Sequence, residues 1–163
     1  MKIRSLAQKL AVFLLFVVLA ACQSADRSYA LTESILEQMP IPDGAVQICT
    51  IKIERLAKMG MGTHFGVRAL YGANIPQSTL LDQQLELLGA AGWQNYTVTS
   101  IGSLLFCHSD YRDISLSVTE LAVFDQEEIG IPQDILSRAE KTYRTTYVVT
   151  IVRFPFDEME ACE

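Results

Sequence analysis

The sequence is poor in the residues that most often carry chemistry. It has two histidines, one tryptophan and four cysteines in 163 residues. Neither histidine lies in an H-x-H or H-E-x-x-H spacing, and no cysteine pair has the C-x-x-C spacing of a zinc or redox site. There is no G-x-S-x-G, no S-x-x-K and no glycine-rich phosphate loop, so the usual local signatures of a serine hydrolase or nucleotide enzyme are missing. Positive charge is short as well. Lys2, Arg4 and Lys9 fall in the first 21 residues, which hold no acidic residue; the remaining 142 carry 10 − 19 = −9. A surface with that balance excludes nucleic acid as an expected partner, because phosphate binding needs a basic face. Composition also excludes a disordered, collagen-like or disulfide-dense chain, and the length fits one domain with appendages.

One apolar run is present. Residues 10–21, LAVFLLFVVLAA, follow a short basic start. Twelve helical residues span about 18 Å, against a hydrocarbon core of about 30 Å. A basic start, a short apolar stretch and small residues at its end read as an export signal over residues 1–21. The stretch ends in Leu19-Ala20-Ala21-Cys22. An aliphatic residue, two small residues and a cysteine resemble the lipobox of bacterial lipoproteins. That resemblance implies cleavage before Cys22, a thioether-linked lipid (palmitate or similar chains) on its sulfur, and acylation of the new N-terminus in many bacteria. Two or more acyl chains anchor a protein stably where one is marginal. It also implies an exported location on a cell membrane. Gln23 in place of aspartate favours the outer membrane, facing the periplasm, in a Gram-negative source. Residues 22–30 read as a lipidated tether, residues 31–156 as a single domain, and residues 157–163 as an acidic tail that frays.

Within the domain the pattern is mixed. Leu31, Ile35 and Met39 make one stripe of a short helix that Pro40 and Pro42 stop. Residues 45–56, 64–71, 95–101, 103–109, 113–124 and 144–154 read as strands, with Pro42-Asp43-Gly44 and Asp110-Tyr111-Arg112 as turns. Pro76 and Pro132 each open a helix, to about Ala91 and about Thr142. Leu81, Leu85 and Leu88 mark the inner side of the first, and Gly92 suits its end. The expected class is α+β: an antiparallel or mixed sheet of about five to six strands, with the two proline-opened helices on one face. Ile75-Pro76-Gln77 and Ile131-Pro132-Gln133 echo each other. A duplicated strand–helix–strand unit, as in ferredoxin-like folds, gives such an echo; so does the general preference for proline in a first helical turn.

Candidate site residues follow from chemistry. An exported domain meets an oxidising compartment, so Cys49 and Cys107, both on strands among apolar neighbours, are disulfide candidates. Such a bridge is worth about 4 kcal/mol in the loop-entropy model. Cys162 is then left over, and buried free thiols are the competing reading. Cys107 and His108 are adjacent on a strand, so they face opposite sides and cannot share a metal ion; no metal and no cofactor are expected. His64 and His108 are the only candidates for an acid–base group in an anchored envelope hydrolase. Tyr71, Tyr96 and Tyr147 fall on strands and would form a binding face if one side of the sheet is uncovered. The leading expectation is a non-catalytic anchored domain that binds an envelope partner or serves in assembly. A small-ligand or ion-binding module is the alternative.

Overall fold

In the computed structural model, the residues described are 26–56, 63–99, 103–124 and 129–154. The export signal, Cys22, the Gly-rich connection at 57–62, Glu127, Glu128 and the acidic tail lie outside them.

Helix α1 is described over residues 26–38, so helical residues 26–30 fall inside the stretch read from sequence as tether. These turns belong to the domain because they have something to pack on. Tyr29 lies edge-on to Phe65 at 5.5 Å. Thr32 is buried and returns its hydroxyl to the carbonyls of Ser28 and Tyr29. Ile35, Leu36 and Met39 point into the core, and the chain then turns through Pro42 and Gly44, where φ is +78°.

Strands β1 (Val46–Leu56) and β2 (Thr63–Ala73) form a hairpin. Helix α2 (Gln77–Ala90) leads to β3 (Trp93–Thr99), β4 (Ser103–His108) and β5 (Ile114–Glu120), a meander. A short 3-10 turn, Leu121–Val123, and helix α3 (Gln133–Thr142) precede β6 (Thr145–Arg153). The six strands make one sheet, β1-β2-β6-β5-β4-β3, antiparallel at every pairing. The last strand therefore joins the hairpin to the meander. Residues Thr145 to Ile151 of β6 are all buried, as a central strand covered on both faces requires.

The α+β class and the antiparallel sheet agree with the sequence reading; the distribution of helices is more specific. Two helices share one face, and they are α1 and α2. Their core takes alternate residues of the central strands: Val67, Ala69 and Tyr71; Ile114, Leu116 and Val118; Tyr147, Val149 and Ile151. Helix α3 lies on the other face, where Leu136 and Ala139 pack with Leu70, Val148, Ile129 and Ile131. The two proline-opened helices thus serve opposite faces. The connection through α2 runs from β2 to the far edge strand, whereas that through α3 joins the neighbouring antiparallel strands β5 and β6. A ferredoxin-like repeat needs both connections to be alike, so the sequence echo reflects helix starts only.

Two local details position side chains. A bulge between Gln47 and Cys49 shifts the β1 register, after which Cys49 opposes Leu70. Ile48, Cys49 and Ile51 consequently all pack toward α3. In α2 the deepest stripe is Leu80, Gln84 and Leu88, with Leu81 and Leu85 flanking it. Gln84 is tolerated there because its amide donates to the Pro40 carbonyl at 3.1 Å, which also fixes the end of α1 against α2.

Candidate functional site

Tyr71 and Tyr147 do not form an exposed face. Tyr71 and Tyr147 are each 1% exposed and stack on one another, ring centroids 5.2 Å apart and planes 14° apart. They lie on the face that α1 and α2 cover. Strand alternation correctly puts them on a common side; which side the helices would cover was not readable from a local pattern. They are the middle of a transverse row, Gln47–Tyr71–Tyr147–Glu120, one residue from each of β1, β2, β6 and β5. The Tyr71 hydroxyl donates to Gln47 Oε1 at 2.9 Å, and Gln77 Nε2 donates to Glu120 Oε2 at 2.5 Å. The Tyr147 hydroxyl is buried with no hydrogen-bond partner. Burial pushes the Tyr71 phenol up to about 12 and raises that of Tyr147 as well, with the neighbouring Tyr71 adding to the effect. This row is a rigid, polar-edged piece of core. The third tyrosine, Tyr96, falls in β3, and its side chain lies outside what is described.

The expected Cys49–Cys107 bridge does not form. Cys49 is a free, half-buried thiol. Burial raises its pKa, an effect partly offset by a hydrogen bond from the Leu70 backbone. Cys107 is disulfide-bonded, and its partner is outside the described residues. The sheet order explains the separation. Cys49 is on edge strand β1, and β2, β6 and β5 lie between it and β4. Three strands between them place the two about 19 Å apart, far beyond the Cα separation a disulfide spans. Both face the side of α3; the distance along the sheet forbids the bond.

The histidines are apart and differently held. His64 sits edge-on to Phe154 at 4.7 Å, with Nε2 buried and unbonded. His108 ends β4, its ring 5.2 Å from that of Trp93 and 5.0 Å from that of Tyr111. Its Nδ1 accepts from the Asp110 backbone N–H at 3.1 Å, and Nε2 lies 3.3 Å from the Ala91 carbonyl. Gly92 follows with φ +89°, and a Cβ there would meet His108 Nε2 at 2.7 Å. His108 therefore plugs the end of α2 to the edge of the sheet. Among the described residues no ion pair or hydrogen bond joins either ring to a carboxylate. Also among the described residues, no group of three or more His, Cys, Asp or Glu side chains is placed to hold a metal ion, and no helix is long and apolar enough to cross a membrane.

A feature that sequence patterns did not point to is buried Arg68. It stands on β2, on the α3 face, where Nε donates to Thr150 Oγ1 at 3.2 Å and Nη1 to the Ile129 carbonyl at 2.5 Å. Its guanidinium also lies 4.7 Å from the Phe124 ring centroid. Phe124 and Ile129 bracket the acidic loop, so Arg68 holds both ends of that loop to the sheet. A shallow groove of about 310 Å³ lies between the turn after α1 and the outer side of α2, lined by Ile41, Asp43, Gln83, Glu86, Leu87 and Ala90. Its parts come from two segments some forty residues apart, which is why no sequence window displays it.

Comparisons with protein-family models, with curated proteins and with solved structures find no match to this chain.

Proposed function

We propose that this protein is a bacterial lipoprotein: an acidic, non-catalytic α+β domain held at the exported face of a cell membrane by lipid on Cys22, where it binds an envelope partner or serves in assembly. The observation that carries this reading is Leu19-Ala20-Ala21-Cys22 at the end of a basic-then-apolar segment too short to span a bilayer comfortably. Residue 26, four positions after Cys22, is already helical, which adds to it. Residues 22–25, even fully extended, reach at most about 14 Å. A domain on so short a leash stays at the membrane surface and meets partners there at high effective concentration. A long-reach role, such as spanning to a distant layer, does not suit it. The surface beside α1 includes Lys52, paired with Glu33 at 3.1 Å and lying 5.1 Å from the Tyr29 ring centroid.

Metabolic labelling with a palmitate analogue tests the anchor. The wild type takes up label and Cys22→Ser does not; label retained by the variant overturns the proposal. In-cell cross-linking tests the partner. A discrete adduct that is lost when Cys22→Ser is expressed at the same level supports membrane-surface binding, whereas an adduct indifferent to the anchor contradicts it.

A further inference from the structure

We infer that Cys107 is bonded to Cys162, so that the C-terminal tail is clasped covalently to β4. The inference rests on the lipid reading of Cys22. The chain has four cysteines. Cys49 is free and Cys107 is disulfide-bonded, which leaves Cys22 and Cys162 as possible partners. A sulfur alkylated by lipid is a thioether and has no hydrogen left to lose, so a lipidated Cys22 cannot enter a disulfide. Cys162 remains.

The fold makes the connection short. Strand β6 ends at Arg153, opposite Ile114, and the Phe154 N–H donates to the Asp113 carbonyl at 2.8 Å. The chain therefore leaves the sheet beside the start of β5. Phe106 opposes Leu116, so Cys107 is next to Ser115, which in turn opposes Val152. Two strand spacings separate Cys107 from the end of β6, about 10 Å. The eight residues that follow Phe154, up to Cys162, reach up to about 28 Å. Side and burial agree. Leu104 and Phe106 point into the α1–α2 core, so Cys107 points to the opposite face. It is 1% exposed there.

The bond forms by exchange with a disulfide oxidant of the exported compartment. One cysteine thiolate attacks the oxidant's disulfide, giving a mixed disulfide and releasing one thiol. The second cysteine thiolate then attacks the protein sulfur of that mixed disulfide and releases the other thiol. Two cysteine thiols are oxidised, one disulfide is reduced to two thiols, and the two protons pass from the former to the latter. The ring so closed contains β5, α3 and β6, and it prevents the strand that joins hairpin to meander from being pulled away with its tail.

Tryptic mapping of the full protein extracted from membranes, with thiols blocked and no reductant, decides the matter. Cleavage at Arg27, Lys52, Arg68, Arg112 and Arg153 puts the four cysteines in four separate peptides, 22–27, 28–52, 69–112 and 154–163. The expected result is a 69–112/154–163 linked pair with an acylated 22–27 peptide. The same pair with an unmodified 22–27 peptide supports the clasp and overturns the anchor. A 22–27/69–112 pair overturns both. An acylated 22–27 peptide with Cys107 blocked as a free thiol, or linked to 28–52, overturns the clasp and leaves the anchor standing. Cys162→Ser adds an independent reading: Cys107 becomes fully alkylatable in denaturant, whereas in the wild type it is inert until reductant is added.

Discussion

Replacing each member of the stacked tyrosine pair with phenylalanine makes the same chemical change with opposite expected signs. Tyr71→Phe removes a hydroxyl that donates to Gln47 Oε1 at 2.9 Å. Gln47 is solvent-exposed and recovers a water partner, so the loss is at the lower end of a net hydrogen bond, about 0.5–1 kcal/mol. Tyr147→Phe removes a buried hydroxyl that has no partner. Relief of a desolvated group offsets the few lost contacts and stabilises the domain by about 1 kcal/mol. Neither change opens a large cavity, whereas truncation to alanine costs about 3–5 kcal/mol at either position. For a domain of this size a 1 kcal/mol difference moves Tm by about 4 °C. Urea denaturation followed by circular dichroism measures both variants, and unchanged m-values license the comparison. If Tyr147→Phe is destabilising by 1 kcal/mol or more, the hydroxyl has a partner in solution. The pair then returns to being a candidate polar site, and the assignment to core is wrong.

Further outcomes follow from the same geometry. Gly92→Ala places a Cβ at φ +89° and 2.7 Å from His108 Nε2, and is expected to cost about 2 kcal/mol; Gly89→Ala, in the last turn of α2 with open space around it, is expected to gain a few tenths up to about 1 kcal/mol. Thermal melts of the two variants check the opposite signs. In alkali, Tyr71 and Tyr147 hold their protons in the folded state while their unfolded counterparts lose them near pH 10. Folded pKa values above the unfolded ones mean stability is intact below pH 10 and falls as pH rises toward 12. Absorbance at 295 nm should show a late tyrosine phase that coincides with unfolding, and a single early phase for all tyrosines contradicts this. Loss of the clasp by Cys162→Ser frees a loop of 162 − 107 = 55 residues, worth about 4 kcal/mol in the loop-entropy model and about 16 °C in Tm. A melt unchanged by both the variant and reductant contradicts it.

The strands were legible because period-two alternation is local, and the prolines and Pro42-Asp43-Gly44 gave the breaks. Position along the sheet was not. Strand β6 is last in the chain yet central in the sheet, and its insertion decides that Cys49 and Cys107 are far apart and that Tyr71 and Tyr147 meet. Helix over residues 26–30 is not legible in the sequence because they show no apolar stripe; Tyr29 is held through Phe65, thirty-six residues away. The inner stripe of α2 was displaced by one residue because Gln84 looks polar, and only the Pro40 carbonyl explains its burial. Helix α3 carries the same Ile-Pro-Gln opening as α2 and faces the other way, since a helix start encodes no choice of sheet face. Among candidate site residues, Cys22 is proposed from a contiguous motif alone; the tyrosine and cysteine assignments depend on burial and pairing, which are set by the whole sheet.

The intact mass of the protein extracted from membranes without reductant tests the central claim most directly. The account requires a chain that begins at Cys22, carries acyl chains, and is two hydrogens lighter than its reduced form. A chain that begins elsewhere and carries no lipid contradicts the anchored reading and leaves an exported acidic α+β domain without a membrane address.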